Sequence, residues 1–189
     1  MRITIGRITA AATVAALPAA LAAQHATMEV KHEVGVDLGF AYEHVSRLGD
    51  SIGGPAYSHV LIATPVDLRI GFAAGAKLVV EPRITLSFDS KFAGGTSAYT
   101  FTPDLNVLWG FRGNRQGGYA TVGAGLDLEH ASNQSASQFS INGGIGTRVP
   151  YESGAIRLEA FGRYAFKNAG KLVPAAFDVG ARIGLSLWH

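Results

Sequence analysis

From residue 33 onward the charged residues of this chain obey a parity rule. The stretch 177–189 alternates Phe177, Val179, Ala181, Ile183, Leu185 and Leu187 with Asp178, Gly180, Arg182, Gly184, Ser186 and Trp188. A period of two marks a β-strand whose two faces meet unlike surroundings. The pattern recurs over 33–43, 58–72, 77–89, 98–112, 118–130, 138–149 and 155–167. Val36 and Leu38 flank Asp37; Leu68 stands between Asp67 and Arg69; Leu126 and Leu128 flank Asp127. In all eight stretches every Asp, Glu, Lys and Arg lies on one face. Random placement would put about half on each.

Bulk decides which face meets oil. The charged face is also the small one, carrying Gly35, Gly39, Gly71, Gly123, Gly125, Gly144, Gly146, Gly180 and Gly184. The uncharged face carries the volume, with Thr64 and Thr147 as its main polar exceptions. An eight-stranded barrel is just wide enough inside for side chains to fill it. The small mixed face therefore belongs inside and the large apolar face outside, against lipid. Aromatics agree. Phe40, Tyr42, Phe88, Tyr99, Phe101, Phe139, Tyr164, Phe166 and Phe177 gather toward one set of strand ends. Phe72, Trp109, Phe111, Tyr119 and Trp188 gather toward the other. Two aromatic girdles around an aliphatic band mark a membrane barrel. Short, turn-rich links such as Gly53-Gly54-Pro55 and Gly94-Gly95 connect consecutive strands, as in a meander. The expected fold is all-β: an eight-stranded antiparallel up-and-down transmembrane β-barrel. Pro65, Pro82 and Pro103 fall inside strands and remove ladder donors, so bulges or breaks are expected there.

Composition narrows the function. A net charge of +2 with scattered basic residues implies no nucleic-acid partner. The absence of cysteine excludes a disulfide framework and a cysteine metal site. His32, His44 and His59 lack metal-ligand spacing, and no metal or cofactor is expected. His44 and His59 would meet, if at all, at the rim of the first hairpin. The first residues, "MRITIGRITAAATVAALPAALAAQ", place Arg2 and Arg7 before an Ala-rich run that ends in small residues. This pattern predicts a signal peptide over 1–23, with the barrel over 24–189.

Signal peptide, strand count, parity and girdles together resemble the small eight-stranded outer-membrane β-barrels of the OmpA/OmpX type. The resemblance implies the outer membrane of a Gram-negative-type bacterium, reached after signal-peptide cleavage. It implies periplasmic termini, outer links at 44–57, 90–97, 131–137 and 168–175, and periplasmic turns at 73–76, 113–117 and 150–154. It implies outer-membrane lipids and the outer-membrane assembly machinery as partners, and a monomer. In that group the last strand ends on an outward aromatic. Here Trp188 has the interior parity and His189 takes the terminal outward place.

The interior face holds Asp37, Asp67, Arg69, Glu81, Arg83, Asp104, Asp127, Arg148, Arg157, Glu159, Arg163, Asp178 and Arg182. Asp67 with Arg69, Glu81 with Arg83, and Arg157 with Glu159 are same-face neighbours along a strand. The expectation is a salt-bridged, closed interior, since buried charge is tolerated when paired. A small passive channel is the alternative. The expected function is non-enzymatic, with surface links for envelope structure or interaction. One string offers an enzymatic alternative: "EHASN", with Glu129, His130, Ser132 and Asn133, resembles the site of the outer-membrane lipid A deacylases. That resemblance implies His130 as base for a nucleophilic Ser132. In that family the string lies just before the last strand; here three strands follow it.

Overall fold

The computed structural model describes residues 32–47, 56–89, 98–131, 134–171 and 173–188. The expected signal peptide, Ser132, Asn133 and His189 lie outside them. Eight strands follow one another: β1 (His32–Val45), β2 (Tyr57–Ala73), β3 (Leu78–Asp89), β4 (Ala98–Gly110), β5 (Gly117–Ala131), β6 (Gln134–Tyr151), β7 (Gly154–Ala165) and β8 (Ala176–Trp188). Each pairs antiparallel with the next, and β1 pairs with β8, so the sheet is a closed barrel. Closure leaves no free sheet edge. The β1–β8 seam runs without a bulge from Glu33↔Trp188 to Val45↔Ala176. The start of β1, the end of β8 and the links 74–77, 111–116 and 152–153 lie at one end, here the terminal end. At the distal end β1 gives way to β2, β3 to β4, β5 to β6 and β7 to β8.

Burial alternates with the sequence parity. β1 reads exposed and buried in strict succession over most of its length. Leu126, Ile183 and Trp109 are 45%, 55% and 61% exposed, while Asp37, Arg69 and Arg157 are 1–2% exposed. The apolar residues are outside and the charges inside, the inverse of a water-soluble barrel. Every charged strand residue whose side chain is described sits on the inward parity.

Three expectations are corrected. The outer link expected over 131–137 is shorter. β5 runs to Ala131 and β6 begins at Gln134, so the link is two residues. Tyr119 does not belong to a girdle. It is 1% exposed and packs inside with Val79 and Leu108. Trp188 is half-buried, with the Arg115 guanidinium 4.3 Å above its ring.

The prolines act differently from one another. Between β1 and β2 the register shifts at Leu38/Phe40, and Pro65 lies in the extra β2 residues. Beside it, Thr64 Oγ1 donates to the Leu86 carbonyl at 3.4 Å and accepts from the Phe88 amide at 3.0 Å. The hydroxyl bridges to β3 where the described β2–β3 partners stop, at Val66↔Leu86. It is buried, although it lies on the parity first assigned to lipid. At Pro82 and Pro103 the register is kept. The β2–β3 partners skip from Arg69↔Arg83 to Phe72↔Val80, and the β4–β5 partners from Phe101↔Leu128 to Asp104↔Gly125. A missing N–H interrupts the ladder there without adding a residue.

Candidate functional site

The interior is a polar core. Its cations among the described residues are six arginines: Arg69, Arg83, Arg148, Arg157, Arg163 and Arg182. Its anions are Glu33, Asp37, Asp67, Glu81, Asp104, Asp127, Glu159 and Asp178. A guanidinium presents several donors in a planar fork and so reaches two or three carboxylates at once. Arg69 faces Glu33, Asp37 at 2.8 Å and Glu81 at 3.6 Å. Arg157 contacts Glu81 at 2.6 Å and Glu159 at 2.8 Å. Arg182 joins Glu159, at 3.4 Å, to Asp67. Arg83 joins Asp67, at 3.7 Å, to Asp104, at 3.0 Å. Arg148 reaches Glu33 at 2.7 Å. These contacts form one continuous chain of charges from the terminal end past the middle of the barrel. A separate triad nearer the distal end joins Arg163 to Asp127 and to Asp178, at 3.1 Å.

Among the described residues eight buried carboxylates face six arginines, and neutral donors serve the surplus. Tyr119 donates to Glu159 at 2.7 Å, and Thr85 donates to Asp67 at 2.7 Å. Thr102 and Ser140 donate to Asp127 at 2.9 and 3.0 Å. Tyr119 also lies between two guanidinium groups, Arg148 and Arg157. All the sequence-predicted interior residues are brought together here. Glu33, Tyr119 and the hydroxyl donors were not among them. Glu33 shares the inward parity, and that parity was signal enough to find it.

The partners differ from those expected. Of the three same-strand neighbours, only Arg157 and Glu159 bond each other. Arg69 turns to β1 and β3 rather than to Asp67, and Glu81 turns to Arg157 and Arg69 rather than to Arg83. Residues two apart on a strand stand roughly 7 Å apart with parallel side chains, while strands lie about 4.8 Å apart. Cross-strand contacts therefore win.

Glycine gives these forks their room. A Cβ on Gly35 would run into the guanidinium of Arg69. That group is held by three carboxylates and by Ser186, at 2.7 Å, so it does not move aside freely. Gly35→Ala is expected to lower stability by about 1–3 kcal/mol, the usual range for overpacking, measured by denaturant unfolding in lipid.

Above the charge chain, Phe161 packs with Ala41 and Leu61, and the Arg182 guanidinium covers its ring at 4.1 Å. A space of about 30 Å³ beside Phe161 has room for no more than one or two waters. Nearer the distal end a cavity of about 160 Å³ is lined by Glu43, His59, Asp127, Glu129, Arg163 and Asp178. His59 stacks on Tyr57 at 5.7 Å and faces Glu43 at 4.0 Å. His44 instead bonds Ser58 at 2.8 Å from the other face of the hairpin, so the two histidines do not meet.

The string at the end of β5 is also resolved in part. His130 Nδ1 lies 3.0 Å from Ser135 Oγ on β6, and its ring lies 5.1 Å from Tyr99 on β4. Glu129 and His130 are successive strand residues and point to opposite faces of β5. This is unlike an acid aligned behind a base. Ser132 lies outside the described residues. Among the described residues no group of three or more His, Asp or Glu side chains forms a metal site.

The sequence matches no family model and no curated protein. Solved structures do match. Neisserial surface protein A aligns with 84% of this chain and 97% of its own, at 16% identity and a TM-score of 0.53. Ail, the attachment invasion locus protein of Yersinia pestis, aligns with 85% of this chain and 99% of its own, at 13% identity and a TM-score of 0.44. The N-terminal β-barrel domain of Pseudomonas aeruginosa OprF aligns with 84% of this chain and all of its own, at 12% identity and a TM-score of 0.47. The first of these likenesses establishes the fold. The chain has the closed eight-stranded architecture of small outer-membrane β-barrels.

Proposed function

We propose that this chain is an integral, non-enzymatic barrel of the bacterial outer membrane, with a closed interior and distal links that serve envelope structure or contacts. One observation carries the reading: an apolar outer wall around a charged, hydrogen-bonded core. In water that wall would leave dozens of large apolar side chains exposed. In lipid it is the favourable surface, and closure satisfies the backbone within the sheet. The expected partners are outer-membrane lipids and the assembly machinery that inserts such barrels. The expected state is a monomer, with the N-terminal segment acting as an export signal.

Cysteine labelling in intact cells tests membrane placement and orientation together. Ala56→Cys, in the first distal link, is expected to react with a membrane-impermeant maleimide. Gly75→Cys, which has open space around it, is expected to react only after the envelope is broken. Reaction of both in intact cells, or of Gly75→Cys alone, overturns the orientation.

The packed core argues against a passive channel. Purified protein in a planar bilayer is expected to show no stable open level of porin size. A steady level of that size would displace the closed reading.

A further inference from the structure

The distal girdle lapses on β2, where the outward residues are Ser58 and Val60, and again over the distal ends of β5 and β6. Outward positions near the distal ends of β1, β3, β4, β7 and β8 carry Tyr42, Phe88, Tyr99, Tyr164 and Phe177. On β5 and β6 the outermost outward residues are His130, Ser135 and Ser137, and Phe139 is the next outward residue on β6. Register sets them in two rows across three strands. Tyr99, His130 and Ser135 form one row, and Phe101, Leu128 and Ser137 the next row toward the middle. A groove of about 440 Å³ runs over them on the outside of the barrel. Its upper row is hydroxyl and imidazole, with Tyr99 and His130 offering ring faces. Its lower row, Phe101 and Leu128, is continuous with the lipid-facing band.

We propose that this groove seats the saccharide headgroup of an outer-leaflet glycolipid. The proposal rests on the reading that the distal end is the outer side of the membrane. Sugar hydroxyls bond Tyr99, His130, Ser135 and Ser137, a sugar ring lies against the Tyr99 face, and an acyl chain follows Phe101 and Leu128. The chemistry selects among lipids. The outward face of these strands has no Lys or Arg, so a bare phosphate finds no fixed cation there. Neutral hydroxyl donors and acceptors beside an aromatic ring suit a polyhydroxylated ring, and the amphipathic Tyr suits the polar–apolar boundary. The His130–Ser135 hydrogen bond at 3.0 Å holds two of the polar groups in one orientation before a lipid arrives.

The test uses the whole folded barrel in nanodiscs of phosphatidylethanolamine and phosphatidylglycerol doped with short-core lipopolysaccharide, followed by native mass spectrometry. Parent protein is expected to retain one lipopolysaccharide. Ser137→Phe fills the groove and His130→Ala removes a polar contact. Each is expected to lower the retained fraction at least fivefold. Val179→Phe, outward on β8 away from the groove, is expected to retain as much as the parent. Heat-modifiable gel mobility and insertion into nanodiscs are read on every variant, so loss of fold is seen separately. Equal retention by all variants overturns the proposal, as does equal retention of phosphatidylethanolamine at the same positions. A parent dimer abolished by the same substitutions also overturns it, and makes the groove a protein interface. A parent that fails to enter nanodiscs overturns the membrane reading itself; a parent that inserts and retains no lipopolysaccharide overturns the groove alone.

Discussion

Arg69→Met is expected to destabilise the barrel by about 3–5 kcal/mol, the cost of leaving buried charge without its partner. The side chain is 2% exposed and touches carboxylates from β1 and β3. After the change Glu33 keeps Arg148 and Glu81 keeps Arg157. Asp37, whose ion pair is with Arg69 at 2.8 Å, is left exposed to the full penalty. Adding Asp37→Asn is therefore expected to restore a clear part of the loss. Urea unfolding in lipid vesicles, read for parent, both single variants and the double variant, gives the coupling between the two sites. Additive losses would mean that Arg69 acts through bulk and not through charge.

The second large effect is on the outer wall. Leu126→Arg places a cation on the lipid face near mid-strand, where such a change costs roughly 2–4 kcal/mol. Thr100→Arg sends the same side chain into the distal cavity, toward Asp127 and Glu129. The interior already has a surplus of carboxylates there, so the loss is expected to be smaller. Unfolding of both variants in bilayers decides the matter. A greater loss from Thr100→Arg would show that the wall does not meet hydrocarbon.

The parity of Asp37, Asp67, Arg157 and Asp178 was legible because period two is a local property of the chain, and one buried face enforces it. The same logic read Leu126 and Ile183 as outward. Tyr119 was misplaced because its residue type was weighed above its parity, which matches that of Thr121 and Asp127. Its hydroxyl has a buried carboxylate to bond, and that partner lies on β7. Phe161, Leu61 and Leu108 show that an inward face need not be uniformly small; where a neighbouring strand offers Ala41 or Gly180, a large side chain fits. Partners within the charge network were not legible, because stagger between strands sets them. Pro65 announced a disturbance in β2. That Thr64 would bridge it depends on how β3 lies beside it, which no local pattern records. The short β5–β6 link was hidden by polar residues, Ser135 and Ser137, that read as loop yet continue a strand.

The charge network also has a consequence for the order of events in folding. Some of its contacts join residues far apart in the chain: Arg148 with Glu33 and Arg182 with Asp67 across 115 positions, and Arg69 with Ser186 across 117. None of these exists until β8 has met β1, and loop-closure entropy opposes bringing such distant segments together. These long-range ion pairs therefore cannot guide the early pairing of strands, which falls to neighbouring hairpins and to the pairs within them, such as Arg69 with Asp37 and Arg83 with Asp104. The long-range pairs lock afterwards, when the last-made strand arrives. Interactions that form after the transition state govern how slowly a protein comes apart more than how quickly it assembles. The barrel's core is in this sense a latch: it sets the lifetime of the closed cylinder, while the hairpins set the pace of its making.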